Sequence, residues 1–393
     1  MTRSHEHGAT PTAVHQFNPS ASYGDAVSQS LLLTRDLLRS LGFTSEIYTQ
    51  YADPRLGDEL RPHREYPGAP GNVLLVHHAI GHDLVDWVLG LPDRKILVYH
   101  NITPPEFFPD DPFLQRMTTL GREQLQRYRP AMTGAFCDSQ FNADELLALG
   151  YDDVAVLPLL LDTDRMRDLP WNRSIVDACD GIFTVLFVGR VERHKCQHDV
   201  IEVFRRVDRW VGRFAHCELV GSINPHTSYI HELRQRTASL ALADRVRFSG
   251  HVSDEDLRGW YRAADVFVSM SVHEGFGMPL IEAMAFDVPV IAHASSSVPS
   301  TLDGAGILVE GKPLDEIAGL VCLLADDRAL YDRVVARQRG RVAAFSRMRL
   351  RAALATALAG VGIRTPVPDT VRPEPSEGEP CSASTTRRSA QRS

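Results

Sequence analysis

Short apolar runs alternate with helical periodicities along this chain from residue 13 to about 360. Residues 13–17 predict a first strand and 18–25 a polar loop. Val27, Leu31, Leu38 and Leu41 then fall at helical spacing before Gly42 stops the helix. Further apolar runs at 43–48, 71–78, 95–100, 133–138 and 154–161 predict strands. A polar stretch at 164–180, with Pro170 and Trp171, interrupts the pattern, which restarts at 183–188 and continues through 217–221, 245–248, 266–270 and 288–291. Helical segments at 139–149, 228–240, 279–286 and 314–324, and one starting at Asp254, separate these runs. Strands that alternate with helices predict α/β domains on parallel sheets, and strand, glycine loop, helix is the opening unit of a doubly wound sheet. At 393 residues there is room for two such domains, each with its own core.

Composition narrows the class. Hydrophobic residues make up 44% and charged residues 23%, as in a soluble globular enzyme. A net charge of −8 argues against a nucleic-acid partner, because neutralising phosphates takes a surplus of Lys and Arg. Six cysteines lie scattered with no CxxC pair, which fits reduced thiols and a cytoplasmic setting. The first residues lack the apolar core of a signal peptide, and no run approaches the ~20 apolar residues that span a bilayer. Seven arginines between 333 and 351 fit helix faces paired with acidic surface. They leave open a peripheral contact with the anionic inner face of a membrane. Residues 1–12 read as a flexible lead. From 363 onward a tail rich in Pro, Glu, Ser, Thr and Arg reads as disordered.

The chemistry concentrates at 265–308. An apolar strand runs into His273-Glu274-Gly275-Phe276-Gly277, and a helix follows with Pro279 in its first turn, where a missing N–H costs nothing. Two glycines let backbone N–H groups near a ligand, and the helix start behind them favours negative charge. Glu274 and Glu282, eight positions apart, make no sense as phosphate ligands. They suit sugar hydroxyls, one a hexose and one a ribose, so the stretch sketches a nucleotide-sugar site. Upstream, Arg190 and Lys195 stand five apart across a loop, so both cations can converge on one anion. His77, His78 and His82 invite a metal reading. No carboxylate pattern completes it, however, and adjacent side chains on a strand point to opposite faces, so no metal site is expected.

The Glu-x7-Glu string with its Gly-Phe-Gly centre, followed by Val288-Pro289-Val290-Ile291 and Gly304-Ala305-Gly306, resembles the retaining glycosyltransferases of family 4. The resemblance implies the GT-B fold: two Rossmann-like doubly wound domains facing across a cleft. Residues 13–163 would form the acceptor-side domain, 164–181 the linker, 182–346 the nucleotide-sugar domain, and 347–362 a helix crossing back to the first. It also implies roles for individual residues. Arg190 and Lys195 would grip the donor diphosphate, with the backbone of Gly275, Phe276, Gly277 and Met278. Glu274 would orient the hexose and Glu282 the ribose, while Val252 would lie against the base. His100 matches the cleft histidine that contacts the hexose. Gly24 and Asp25 occupy the place of the glycine loop near donor phosphate and acceptor, although Asp25 equally suits a helix cap. Asp162-Thr163-Asp164 after an apolar run mimics the metal signature of the other glycosyltransferase fold, but its place in the chain marks interdomain structure. Cys196 stands where the family often has glycine, and Ser300 where it often has glutamate.

What the resemblance implies is transfer of a hexose from a nucleotide-diphosphate sugar, GDP-mannose or UDP-glucose in type. The acceptor is a hydroxyl on a glycan, a lipid-linked intermediate or a small molecule, and no metal is obligatory. Two rivals share the architecture: a nucleotide-sugar 2-epimerase, which would convert donor without an acceptor, and a non-catalytic nucleotide-sugar-binding protein.

Overall fold

The computed structural model describes residues 13–366, which form two all-parallel sheets with helices packed against them. The first sheet holds β1 (Val14–Ala21), β2 (Ile47–Ala52), β3 (Arg61–Pro62), β4 (Val73–His78), β5 (Arg94–Tyr99), β6 (Met132–Cys137) and β7 (Val154–Val156). Their order is β3-β2-β1-β4-β5-β6-β7. The second holds β8 (Phe183–Val188), β9 (Ala215–Val220), β10 (Val246–Gly250), β11 (Val266–Ser269), β12 (Val290–His293) and β13 (Ile307–Val309), ordered β10-β9-β8-β11-β12-β13. Strand order reverses between β1 and β4 in one sheet and between β8 and β11 in the other. At such switch points an open parallel sheet leaves a crevice at its carboxyl edge. Because helices cover both faces, a strand such as β4 is buried along its whole length and reads as a continuous apolar run.

The last helix, Arg347–Gly360, ties the end of the chain to the first sheet. Its Leu350, Leu354 and Leu358 are buried in one cluster with Leu75, Val98 and Phe136. Just beyond, Val361 lies so close to Gly134 that a Cβ there would meet Val361 Cγ1 at 2.7 Å. Arg94 also donates to the Val361 carbonyl.

Two sequence expectations shift. The second strand begins at Ile47, not at 43. Phe43 is buried in the turn after the first helix, and only Thr44 bridges to Ala13. An apolar residue that plugs a turn gives the same local signal as one that starts a strand. The linker stretch at 164–181 holds the short helices Thr163–Asp168 and Arg173–Ala178, and Asn172 docks it on the second domain through Asp256. The predicted lead (1–12) lies outside the described residues. So does the predicted tail from 367 on, whereas Ile363, at its predicted start, is fully buried. Among the described residues no helix is long and apolar enough to cross a membrane.

Leu354→Ala should lower stability by about 2–5 kcal/mol through the cavity it leaves in the first domain's core. A fall of the denaturation midpoint measured on the whole chain checks this, and an unchanged midpoint would place the helix off the core.

Candidate active site

Strand β11 ends at Ser269, and the chain turns through His273-Glu274-Gly275-Phe276 into Gly277, whose φ of +84° suits only glycine without strain. The helix Met278–Ala285 starts there. Glu274 is held on three sides. Its N–H donates to Ser296 Oγ at 2.7 Å, its carbonyl accepts from Ser297 Oγ at 2.9 Å, and its Oε2 accepts from Lys195 Nζ at 2.7 Å. Lys195 and Glu274, assigned to diphosphate and hexose from sequence, are therefore an ion pair, both largely shielded from water.

Lys195 ends a single turn of 3-10 helix, Arg193–Lys195, and Cys196 follows in the left-handed region at φ +51°. That conformation explains why glycine would be comfortable at this position. Arg190 is exposed, and its carbonyl accepts from Gln197 Nε2 at 2.8 Å. Burial, then the charges of Lys195 and Arg190, keep the His194 imidazole far below its usual range and hence neutral. Burial and Lys195 likewise lower His273, to about 4. The cationic charge at this end of the cleft thus resides on Arg190 and Lys195, not on the histidines between them.

Glu282 lies deeper. It is only 5% exposed and accepts from Tyr261 Oη at 2.6 Å, and burial raises its carboxyl to about 7. It lines a cavity of ≈ 350 Å³ between the domains, with Gly24, Asp254 and Leu257 among the other walls. Gly24, at φ +78°, faces the His251 ring, which a Cβ there would touch at an ordinary contact distance of 3.6 Å. Asp25 is a helix cap: its Oδ2 accepts from both Ser28 N and Ser28 Oγ at 3.1 Å. Val252 is half-buried against the central core. Phe276 is buried with its ring 6.0 Å from that of Phe345, and its carbonyl accepts from Thr301. Its side chain belongs to packing, which leaves only its N–H for a ligand. Met278 is half-buried at the first position of the helix. Ser300 accounts for itself locally, donating to the Ser297 carbonyl at 2.8 Å.

The two sheets meet at Gly275. A Cβ there would stand 2.7 Å from the His100 carbonyl oxygen and 2.9 Å from Asn101 Cβ, so only glycine fits. Ser139 Oγ donates to the Gly275 carbonyl at 3.1 Å, and His273 Nε2 bonds Asn101 Oδ1 at 2.8 Å. The His100 ring does not point freely into the cleft. Nε2 meets His77 Nδ1 at 2.8 Å and Nδ1 meets Asp138 Oδ2 at 2.9 Å, so neither nitrogen is left for a hexose. Contact by the His100 ring is corrected accordingly; its backbone is what lies beside the donor loop.

The remaining histidines diverge: His78 bonds the Gly121 carbonyl at 2.9 Å and His82 bonds Tyr128 Oη at 2.9 Å. Asp162 caps the helix Thr163–Asp168 and pairs with Arg347. Cys196, His198 and Asp199 do gather within ligand reach of one another. Lys312 already donates to Asp199 at 2.6 Å and burial raises the Cys196 thiol, a poor setting for a cation.

Comparison with known proteins fits this geometry. The model for "Glycosyl transferases group 1" matches residues 176–341. The O-antigen chain mannosyltransferase B of Escherichia coli is 35% identical over 265 residues, 65% of this chain and 67% of that protein. The chain belongs to the group 1 glycosyl transferases. Mannosylfructose-phosphate synthase of Agrobacterium fabrum is 52% identical over 145 residues, 36% of this chain but 30% of that protein. The chain thus spans from under a third to two thirds of the length of these relatives. Among solved structures, Anabaena HepE in complex with UDP and glucose superposes with a TM-score of 0.70 at 17% identity, covering 88% of this chain and 99% of that one. This group 1 glycosyl transferase therefore has the GT-B fold.

Several residues of the site carry no local signal in the sequence. Ser296, Ser297, Tyr261, Asn101 and Ser139 reach it from separate elements. Only the run Ser295-Ser296-Ser297, polar just after an apolar strand, could have drawn notice.

A carboxyl raised to about 7 in the folded chain binds more protons there than unfolded, where it titrates near 4.5. Its share of stability is therefore complete below pH 4.5 and is lost as pH rises to about 7. Glu282→Gln should remove up to about 1.4 kcal/mol per pH unit of that slope. Glu218, also raised to about 7 by burial, retains a similar slope in the variant. Chemical denaturation at pH 5 and pH 8 checks this; equal differences in both proteins would sink it.

Proposed function

We propose that this group 1 glycosyl transferase is a retaining hexosyltransferase of the family 4 type. It would move a hexose from a nucleotide-diphosphate sugar to a hydroxyl by front-face displacement. The observation that carries the reading is the Lys195–Glu274 pair, 2.7 Å apart at the mouth of a glycine-led helix start, with Arg190 exposed beside it. As the C–O bond to the sugar breaks, negative charge grows on the diphosphate and positive charge on the sugar ring. Arg190, Lys195 and the N–H groups of 275–278 supply the counter-charge for the first, fixed in place before the reaction. Glu274 orients hexose hydroxyls, and Glu282, opening on the interdomain cavity, takes the ribose hydroxyls. With its Oε2 held by Lys195, Glu274 is an orienting group rather than a nucleophile of the kind retaining glycosidases use. The leaving phosphate then accepts the acceptor's proton, with no obligatory metal.

Closure of the domains over the donor excludes water, and the contacts at Gly275 support a closed arrangement. A mannosyl donor heads the panel to be tried, since the Escherichia coli relative is a mannosyltransferase by name. GDP-mannose and UDP-glucose are the two donor types to separate. The acceptor is a glycan, lipid-linked or small-molecule hydroxyl. The reaction belongs in the cytoplasm. Met348, 77% exposed between Arg347 and Arg349, gives the last helix a peripheral foothold on an anionic membrane.

Thermal unfolding with UDP-, GDP-, ADP- and dTDP-sugars tests the donor. One sugar nucleotide should stabilise by about 2–4 kcal/mol at high excess over its dissociation constant. Arg190→Ala should abolish the shift. Silence across the panel would remove the donor reading.

Charge accounting gives two further expectations with opposite signs. Lys195→Ala should keep the fold and lose transfer by at least about a hundredfold. Glu274→Gln frees Lys195 from its carboxylate, so the nucleoside diphosphate should bind several-fold tighter while transfer slows. Calorimetry with the diphosphate, set beside turnover, separates them; weaker diphosphate binding by the Gln variant would refute the shared-charge account.

A further inference from the structure

Four buried polar side chains stand in line at the carboxyl edge of the first sheet, and their hydrogen bonds fix how many protons they share. Gln16 Nε2 donates to the Leu31 carbonyl at 3.1 Å, which leaves Gln16 Oε1 as an acceptor facing His77 Nε2 at 3.1 Å. Turning the amide would set Oε1 against the Leu31 carbonyl, two acceptors face to face. His77 must therefore carry its hydrogen on Nε2. If His77 is neutral, its Nδ1 accepts, so His100 donates from Nε2 across the 2.8 Å contact. That leaves His100 Nδ1 facing Asp138 Oδ2 at 2.9 Å. A neutral His100 would put a lone pair there, which clashes with a carboxylate and is met only if Asp138 itself carries the proton. Every contact is satisfied when the chain holds one proton more than two neutral imidazoles and a carboxylate would.

We propose that Gln16, His77, His100 and Asp138 form one buried hydrogen-bonded chain whose extra proton sits on His100. In it, Asp138 and His77 are positioning residues that set the first domain on the donor loop. His100 and Asp138 directly follow the neighbouring strands β5 and β6, and each is followed by a residue that touches that loop. Asn101 bonds His273, and Ser139 bonds the Gly275 carbonyl. One charge-assisted bond between His100 and Asp138 thus fixes the spacing of two contact points. His77, His100 and Asp138 are the titratable groups lining the small cavity beside the chain. Ser30 and Thr34 from the helix Ala26–Ser40 and Leu354 from the last helix face them. Burial and the neighbouring His100 hold His77 well below its ordinary value, which keeps the extra proton off His77. Of the two groups that remain, an imidazole is intrinsically more basic than a carboxylate, so His100 takes it. The consequence for transfer rests on the donor-site reading above; the proton count and the docking do not.

Nitrogen-15 NMR of the histidine rings, with His100→Gln to assign the signals, tests the proton. His100 should be protonated at both nitrogens at pH 7 and His77 at Nε2 alone. A neutral His100 in the wild type overturns the proposal. Asp138→Asn can turn its amide to donate to His100 Nδ1, which satisfies the chain without the extra proton. In that variant His100 should read as neutral with the loop still docked. Asp138→Ala leaves the chain one partner short, and amide exchange across 273–277 should speed up on the order of tenfold. Equal exchange in the Asn and Ala variants overturns the positioning role. With the stabilising sugar nucleotide, the dissociation constant should rise on the order of tenfold in Asp138→Ala and mostly recover in Asp138→Asn. If no sugar nucleotide binds the wild type, the donor reading falls, while ring protonation and exchange still decide the proposal.

Discussion

Two parallel sheets meet edge to edge over a single glycine, and the rest of the site follows from that contact. A carboxyl edge of a doubly wound sheet ends in loops whose backbone groups need partners. Here the loops of one sheet supply them to the other: Ser139 reaches the Gly275 carbonyl and Asn101 meets His273. A side chain at 275 would run into the His100 carbonyl at 2.7 Å, so the approach depends on having none. The last helix reinforces the arrangement from behind, since it buries Leu350, Leu354 and Leu358 against the first sheet after the second is complete. Closure in this chain thus combines the close approach at Gly275, side-chain bridges such as Arg193–Asp110, and the return of the last helix to the first sheet.

Charge is arranged around that contact so that little of it is left unbalanced. Lys195 is neutralised by Glu274, and His194 and His273 stay uncharged because burial and the nearby cations oppose a proton. Arg193, beside the donor cations in sequence, is spent elsewhere: it bridges Asp110 of the first domain and Glu232 of the second. Arg190 remains exposed and forms no ion pair among the described residues, with the half-buried Glu192 carboxyl close enough to feel its charge. An anion entering the cleft therefore meets one exposed cation and a second that an orienting carboxylate must share.

Local pattern carried much of the architecture and the placement of the motif's residues. The strands were legible because sheets covered on both faces demand unbroken apolar runs, as in Val73–His78. Glu274, Gly277 and Glu282 were legible because strand, turn and helix occur within one short stretch. His100 was placed at the correct edge but given the wrong surroundings. Its partners His77 and Asp138 lie 23 and 38 residues away on other strands, and no local period encodes such a meeting. The same holds for Tyr261 on Glu282 and for Ser296 behind Glu274. Phe276 divides its roles: its ring serves the core while its backbone stays in the motif.

The two glutamates of the motif show how the fold differentiates identical side chains. Glu274 sits at the loop with a lysine on one oxygen, which fixes the direction its side chain points. Glu282, eight residues on, is carried by the helix into the interior, where a phenol is its hydrogen-bond partner and burial opposes its charge. A carboxylate fixed by a cation is a rigid acceptor, suited to holding a ring near the bond that breaks. A carboxyl near its titration point in a cavity can accept or donate, which suits a vicinal diol whose two hydroxyls need not present the same face. The helix start between them makes that difference, since one turn of chain separates the solvent-facing cleft from the core.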